Sequence, residues 1–129
     1  MKRMLLSVVL VMVSANASAE WSLLASGEGK DIYVDRSTIR RSGKTVKMWD
    51  MLDYWAPQFR GESIPYMSRK GQVEYDCINE RARLLYFSNH TGSKGGGETL
   101  TDQTVSAPSW APIAPESIVE AYWKIACGK

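Results

Sequence analysis

The sequence predicts an α+β fold: a small, mostly-β domain closed by one C-terminal helix and one disulfide. Three observations lead there. Six short apolar or alternating segments follow one another between turns rich in Gly, Pro and Ser. One amphipathic stretch with helix start and stop signals ends the chain. Only two cysteines occur, Cys77 and Cys127, and both follow an export signal.

Residues 1–19 read as a secretory signal peptide. Lys2 and Arg3 form a positive start, Met4 to Val13 an apolar centre, and Ala17-Ser18-Ala19 a small-x-small cleavage site, with cleavage between Ala19 and Glu20. Residues 20–129 are then a single domain of about 110 residues, large enough to bury a core without metal. The apolar centre of the leader is too short for a spanning helix, and no second such stretch follows, so no integral membrane segment is expected in the mature chain. Residue 20 is Glu where a lipid-anchored protein needs Cys, which argues against a lipid anchor.

Trp21 to Ala25, the turn Ser26 to Lys30, and the alternating Asp31 to Asp35 predict a β-hairpin. Asp35 to Arg40 is expected as a short turn or one helical turn. Thr45 to Tyr54 is apolar on both alternating faces, with Val46, Met48 and Leu52 opposite Trp49 and Met51, and so reads as a central strand. Trp55 to Pro65 contains Pro57, Gly61 and Pro65 and reads as a loop. Tyr66 to Cys77 alternates, Val73, Tyr75 and Cys77 on one side, Gln72, Glu74 and Asp76 on the other. Arg83 to Ser88 is a further strand. Asn89 to Gly97 reads as a polar loop, Glu98 to Val105 as the last strand, and Ala107 to Pro115 as an extended connector. Ser117 to Glu120 then has the form of a capping box. A helix of about ten residues follows, and Gly128 stops it.

An even cysteine count in an exported chain favours one intrachain bond, Cys77 to Cys127. Cys77 shares the Val73–Tyr75 side of its strand, and Cys127 lies in the last helical turn. If both stripes face the core, the bond pins the helix across one face of the sheet. The pair lacks the Cys-x-x-Cys spacing of redox-active thiols.

Chemistry is sparse. His90 is the one histidine and reads as a solvated loop side chain. With the cysteines bonded, no zinc set remains, and no cofactor is expected. Asp50 and Asp53 fall on opposite strand faces, so they do not form a carboxylate pair. No Gly-x-Ser-x-Gly elbow or Gly-Lys-Ser/Thr phosphate loop occurs. No convergent catalytic set emerges, so the reading is non-enzymatic. The chain has 16 Lys plus Arg against 14 Asp plus Glu, and losing Lys2 and Arg3 leaves 14 against 14. A neutral domain has no global field to gather nucleic acid. Basic residues still cluster locally. Arg69, Lys70, Arg81 and Arg83, near Tyr66 and Tyr86, form the candidate protein-binding patch, with salt-sensitive binding expected.

One ordered set of residues carries a resemblance: Trp21, Tyr33-Val34-Asp35, Val46-Lys47-Met48-Trp49, Leu52-Asp53-Tyr54, Glu74-Tyr75-Asp76-Cys77, Trp110-Ala111-Pro112-Ile113, Trp123 and Cys127. Across the mature chain this resembles the surface-adhesin protein E family of Gram-negative bacteria. The resemblance implies an antiparallel sheet of about six strands, its C-terminal helix packed on one face and tied there by the disulfide. It also implies binding of host extracellular-matrix or serum proteins, such as vitronectin and laminin, and a capacity to form a homodimer. Without a lipid anchor the product is expected in the periplasm, or secreted to the outer surface. The alternative is a periplasmic housekeeping protein, or a binder of a small apolar ligand such as haem or lipid, held between sheet and helix by Tyr75, Tyr122 and Trp123.

Overall fold

The computed structural model describes residues 19–61 and 63–129. The leader, apart from Ala19, lies outside the described residues. The strands run in chain order: β1 (Ser22–Gly27), β2 (Lys30–Ser42), β3 (Thr45–Gln58), β4 (Tyr66–Asp76), β5 (Arg81–His90), β6 (Thr99–Thr104) and the two-residue β7 (Ala111–Pro112). A 3-10 turn at Ser93–Gly95 precedes β6, and α1 (Ile118–Cys127) follows β7. The sheet is an antiparallel meander, β1 to β6 in order. The free side of β5 is divided: Arg81 and Ala82 pair with β7, while Tyr86 to His90 pair with β6.

Sequence alternation becomes face alternation across the ladders. Val46 lies opposite Tyr75, Met48 opposite Val73, Asp50 opposite Gly71 and Val34, and Leu52 opposite Ile32. These residues share one face. Trp49 lies opposite Gln72 and Asp35, and Met51 opposite Lys70 and Tyr33, which sets them on the other. The turn from β1 to β2 places Glu28 and Gly29 both at positive φ, 53° and 83°. That is the backbone of a tight hairpin whose twist matches its strands. The main core cluster joins Ile32, Val34, Val46, Met48, Tyr75 and Cys77 with Tyr122, Trp123, Ala126 and Cys127 of α1.

The disulfide is formed between Cys77, just past β4, and Cys127 in the last turn of α1, with 5.7 Å between their Cα atoms. Beside it, the Trp123 indole donates to the Asp76 carbonyl at 2.9 Å. At the start of α1 the Ser117 hydroxyl accepts from the Glu120 amide at 3.2 Å, the cap that the sequence predicts. Gly128 closes the helix in the left-handed conformation, φ 70°. Ser117→Ala should cost about 1 kcal/mol of stability, read as a lower urea midpoint with an unchanged slope. An unchanged midpoint would show that the cap contributes nothing to folding.

Four expectations are corrected. Asp35 to Arg40 is no separate turn but a bulge inside one long strand: pairing jumps from Asp35 opposite Trp49 to Arg40 opposite Lys47. Local side chains satisfy it, since Asp35 accepts from the Ser37 amide, and Thr38 Oγ1 donates to the Asp35 carbonyl while accepting from the Trp49 amide. Trp55 to Gln58 belongs to β3 instead of a loop, because the Trp55 amide still donates to the Gly29 carbonyl. Asn89 and His90 end β5 instead of opening a loop. His90 is buried, not solvated: Nε2 lies 2.7 Å from Ser88 Oγ and Nδ1 3.3 Å from Thr99 Oγ1. Burial lowers its pKa, with Lys70 adding to the effect.

Candidate functional site

The four basic residues of the predicted patch do not gather on one surface. Arg69 and Lys70 are neighbours in a strand and so project to opposite faces. Arg69 stacks on Phe87, 4.3 Å from the ring centroid. Lys70 lines an open groove of about 620 Å³ with Trp49, Tyr86, His90 and Asp102. In that groove Trp49 and Tyr86 meet edge to face, 5.3 Å between centroids.

Arg81 and Arg83 do come together. They sit two apart on β5 and both pack on Trp110 of the connector, 4.9 and 4.3 Å from its ring centroid. Each guanidinium is fixed from behind by a buried carboxylate: Arg81 by Asp76 at 2.8 Å, Arg83 by Glu74 at 2.6 Å. Asp76 also accepts from the amides of Ile78 and Asn79 and from the Asn79 side chain. These bonds hold its carboxyl well below the usual carboxylate range, the Asn79 amide acting most strongly, then Arg81. The three side chains form a pre-set surface, both arginines and Trp110 being partly exposed.

A second, less open cavity of about 390 Å³ lies between β4, β5, the connector and α1. Its walls are mostly apolar, from Val73, Leu84, Ile113 and Val119 among others. Tyr75 and Tyr122 line it, as the sequence reading of a sheet–helix ligand site expects. Trp123 does not, being turned to Asp76 and the core. Asp50 lines it too. The sequence reading tested Asp50 only as half of a carboxylate pair and missed it here. The signal was its phase: it occupies the apolar register of Val46, Met48 and Leu52. Gly71 opposite makes room, since a Cβ there would come 3.2 Å from Asp50 Oδ1. Burial pushes the Asp50 carboxyl up to about 7, against a smaller downward pull from Arg69. Burial, and then the Asp50 charge, push the Tyr75 and Tyr122 phenols up as well. Trp110, too, was quoted in the sequence only for the family resemblance, because nothing along the chain shows that it returns to β5.

No group of three or more His, Cys, Asp or Glu side chains placed to hold a metal occurs among the described residues. No helix among them is long and apolar enough to cross a membrane.

A disulfide-closed antiparallel meander with one terminal helix, an aromatic–arginine surface and a lined cavity defines the class: a small single-sheet scaffold. The chain belongs to the surface-adhesin protein E family, whose model matches residues 21–128. The sequence resemblance to that family is thereby borne out. Solved structures agree in fold. Crystal form II of Haemophilus influenzae protein E matches with a TM-score of 0.63 over 83% of this chain and 96% of that one, at 12% identity. Another Haemophilus influenzae protein E structure gives 0.62 over 84% and 93%, also at 12% identity. Protein E from non-typeable Haemophilus influenzae gives 0.59 over 86% of each chain, again at 12%. At that identity the likeness speaks for the fold alone. No curated protein matches the chain in sequence.

Proposed function

We propose that this chain is an exported, non-enzymatic adhesin-type domain that binds a host extracellular-matrix or serum protein through Trp110, Arg81 and Arg83. The observation that carries this reading is the Trp110 ring packed against two anchored guanidiniums. Tryptophan and arginine dominate binding hot spots, and a side chain already fixed loses little entropy on contact. Family membership supplies the adhesin class; the choice of residues rests on this geometry. In the same reading the leader ends at Ala19 and the helix covers one face of the sheet. In support of the latter, the core residues from β2, β3 and β4 all belong to one alternation set, and Tyr122, Trp123 and Ala126 join them. Arg69 lies on the other face of the sheet, on Phe87, and Lys70 lines the open groove. Because each of the two arginines faces a carboxylate, affinity should depend more on ring packing than on net charge, and salt should weaken it only modestly.

The test is surface plasmon resonance of residues 20–129 over immobilised laminin and vitronectin. Trp110→Ala leaves both ion pairs in place and should lower affinity at least tenfold, as should Arg81→Ala with Arg83→Ala. Wild-type affinity in all these variants, with circular dichroism unchanged, sinks the assignment. Protease cleavage of the protein on intact cells is expected of surface display, and complete protection counts against the adhesin reading.

A further inference from the structure

The cavity beneath the connector contains polar groups that folding does not use. The hydroxyls of Tyr75 and Tyr122 are buried and make no hydrogen bond with protein atoms. Tyr75 is fully buried and Tyr122 is 5% exposed. Asp50 is partly buried, and among the described residues its carboxylate has no hydrogen bond and no ion pair, only the more distant charge of Arg69. Buried polar atoms in folded proteins are nearly always paired, and an unpaired one costs free energy. Two buried, unpaired hydroxyls and one partly buried, unpaired carboxylate lining one space is the pattern of a site built for something else.

The chemistry narrows the occupant. The nearest cations are already engaged: Arg69 lies on Phe87, and Arg83 on Glu74 and Trp110. The polar groups left open are one carboxylate, which accepts hydrogen bonds and attracts positive charge, and two phenol hydroxyls, each able to accept an N–H while donating its own proton. The two tyrosine rings add an electron-rich lining that favours a cation over a neutral group. Val73, Leu84, Ile113 and Val119 provide apolar contact for the rest of a ligand. A volume of about 390 Å³ is near the lower end of small-molecule sites, which excludes large ring systems.

We propose that this cavity is a binding site for a small organic cation, a primary ammonium on a short apolar or aromatic tail. Asp50 is its counter-ion, the Tyr75 and Tyr122 hydroxyls accept its remaining N–H groups, and the tail packs on Leu84, Ile113 and Val119. The cavity shares Arg83 with the Trp110 surface, but Asp50, Tyr75 and Tyr122 take no part in that surface, so failure of this proposal leaves the adhesin reading standing, and the reverse.

The experiment is a heteronuclear NMR titration of residues 20–129 with three probes of one shape: 2-phenylethylammonium, 2-phenylethanol and 3-phenylpropanoate. The ammonium should bind at least tenfold more tightly than the alcohol, with shifts centred on the Leu84, Ile113 and Val119 methyls. Asp50→Asn should abolish that preference. Tyr122→Phe, which removes only a hydroxyl, should weaken the ammonium several-fold and leave the alcohol unchanged. Equal binding of ammonium and alcohol, tighter binding of the carboxylate, no binding of any probe, or full ammonium affinity in Asp50→Asn each overturns the proposal.

Discussion

Replacing both Cys77 and Cys127 by alanine should lower the unfolding free energy by about 2–5 kcal/mol. The bond closes a loop of sequence separation 50. In the chain-entropy account, freeing such a loop returns roughly 4 kcal/mol of conformational freedom to the unfolded state. The native state has little with which to compensate. An isolated helix as short as α1, Ile118–Cys127, is marginal in water and relies on docking. Tyr122, Trp123 and Ala126 supply that docking, and the indole bond to Asp76 helps to orient it. Urea denaturation of the double variant, beside wild type under oxidising and reducing conditions, is the measurement. Reduced wild type should fall to the variant's midpoint, and the variant should ignore reductant. A double variant as stable as oxidised wild type would show that the tether is dispensable.

Replacing Asp50 by asparagine should do the opposite and stabilise the protein, but only away from acid. Burial raises the folded-state pKa of this carboxyl from 3.8 to about 7. A carboxyl raised on folding keeps its proton in the native state while the unfolded chain loses it. Its favourable contribution is therefore complete below about pH 4. It drains away as pH rises toward 7, and does not return above that. Three pKa units correspond to at most about 4 kcal/mol. Asparagine has the same shape and no charge. The two proteins should thus match near pH 4 and differ by a few kcal/mol at pH 8, with the variant the more stable. Asp76, whose pKa is lowered by the Asn79 amide and Arg81, works in the other direction: it favours folding above the ordinary carboxylate range and loses that effect as pH falls. Its contribution is common to both proteins and cancels in the difference. Parallel curves from pH 4 to pH 8 would mean that Asp50 is not buried with its charge unmet. A substitution that strengthens the fold while abolishing ammonium preference is the trade expected of a residue kept for binding.

The elements that depend on short-range pattern were legible in the chain. Alternation through Val73, Tyr75 and Cys77 located β4 and its core side. Ser117, Glu120 and Gly128 marked both ends of the helix. What escaped depends on contacts made at a distance. The Asp35 bulge mimics a turn because Ser37 and Thr38 hydrogen-bond locally, and only the continued pairing with β3 reveals a strand. Pro57 suggests a break, yet the Trp55 amide and Gln58 still pair, and the strand continues around the proline. His90 sits among polar and glycine residues that imply solvent, but Ser88 and Thr99 enclose it. The arginine patch failed as one surface for a simple reason. Adjacent residues in a strand face apart, so Arg69 and Lys70 could never share a side, whereas Arg81 and Arg83, two apart, could. Their bond to Trp110 was invisible because β7 joins β5 across the whole length of β6 and the connector.

The meander has a consequence for the way the protein is made. From β1 to β6 each strand hydrogen-bonds to its predecessor. A chain made from its N-terminus onward, and exported as proposed above, can therefore add ladders one after another, with no strand waiting for a distant mate. The sulfur at 77 is the exception. It emerges with the fourth strand and has no mate until the closing helix follows, 50 residues later. On the proposed export route, the growing polypeptide carries an unpaired thiol in that interval, open to capture by an oxidant or a neighbouring copy. Stalling or truncation before the helix should leave mixed adducts and cross-linked pairs, a by-product that full-length synthesis avoids.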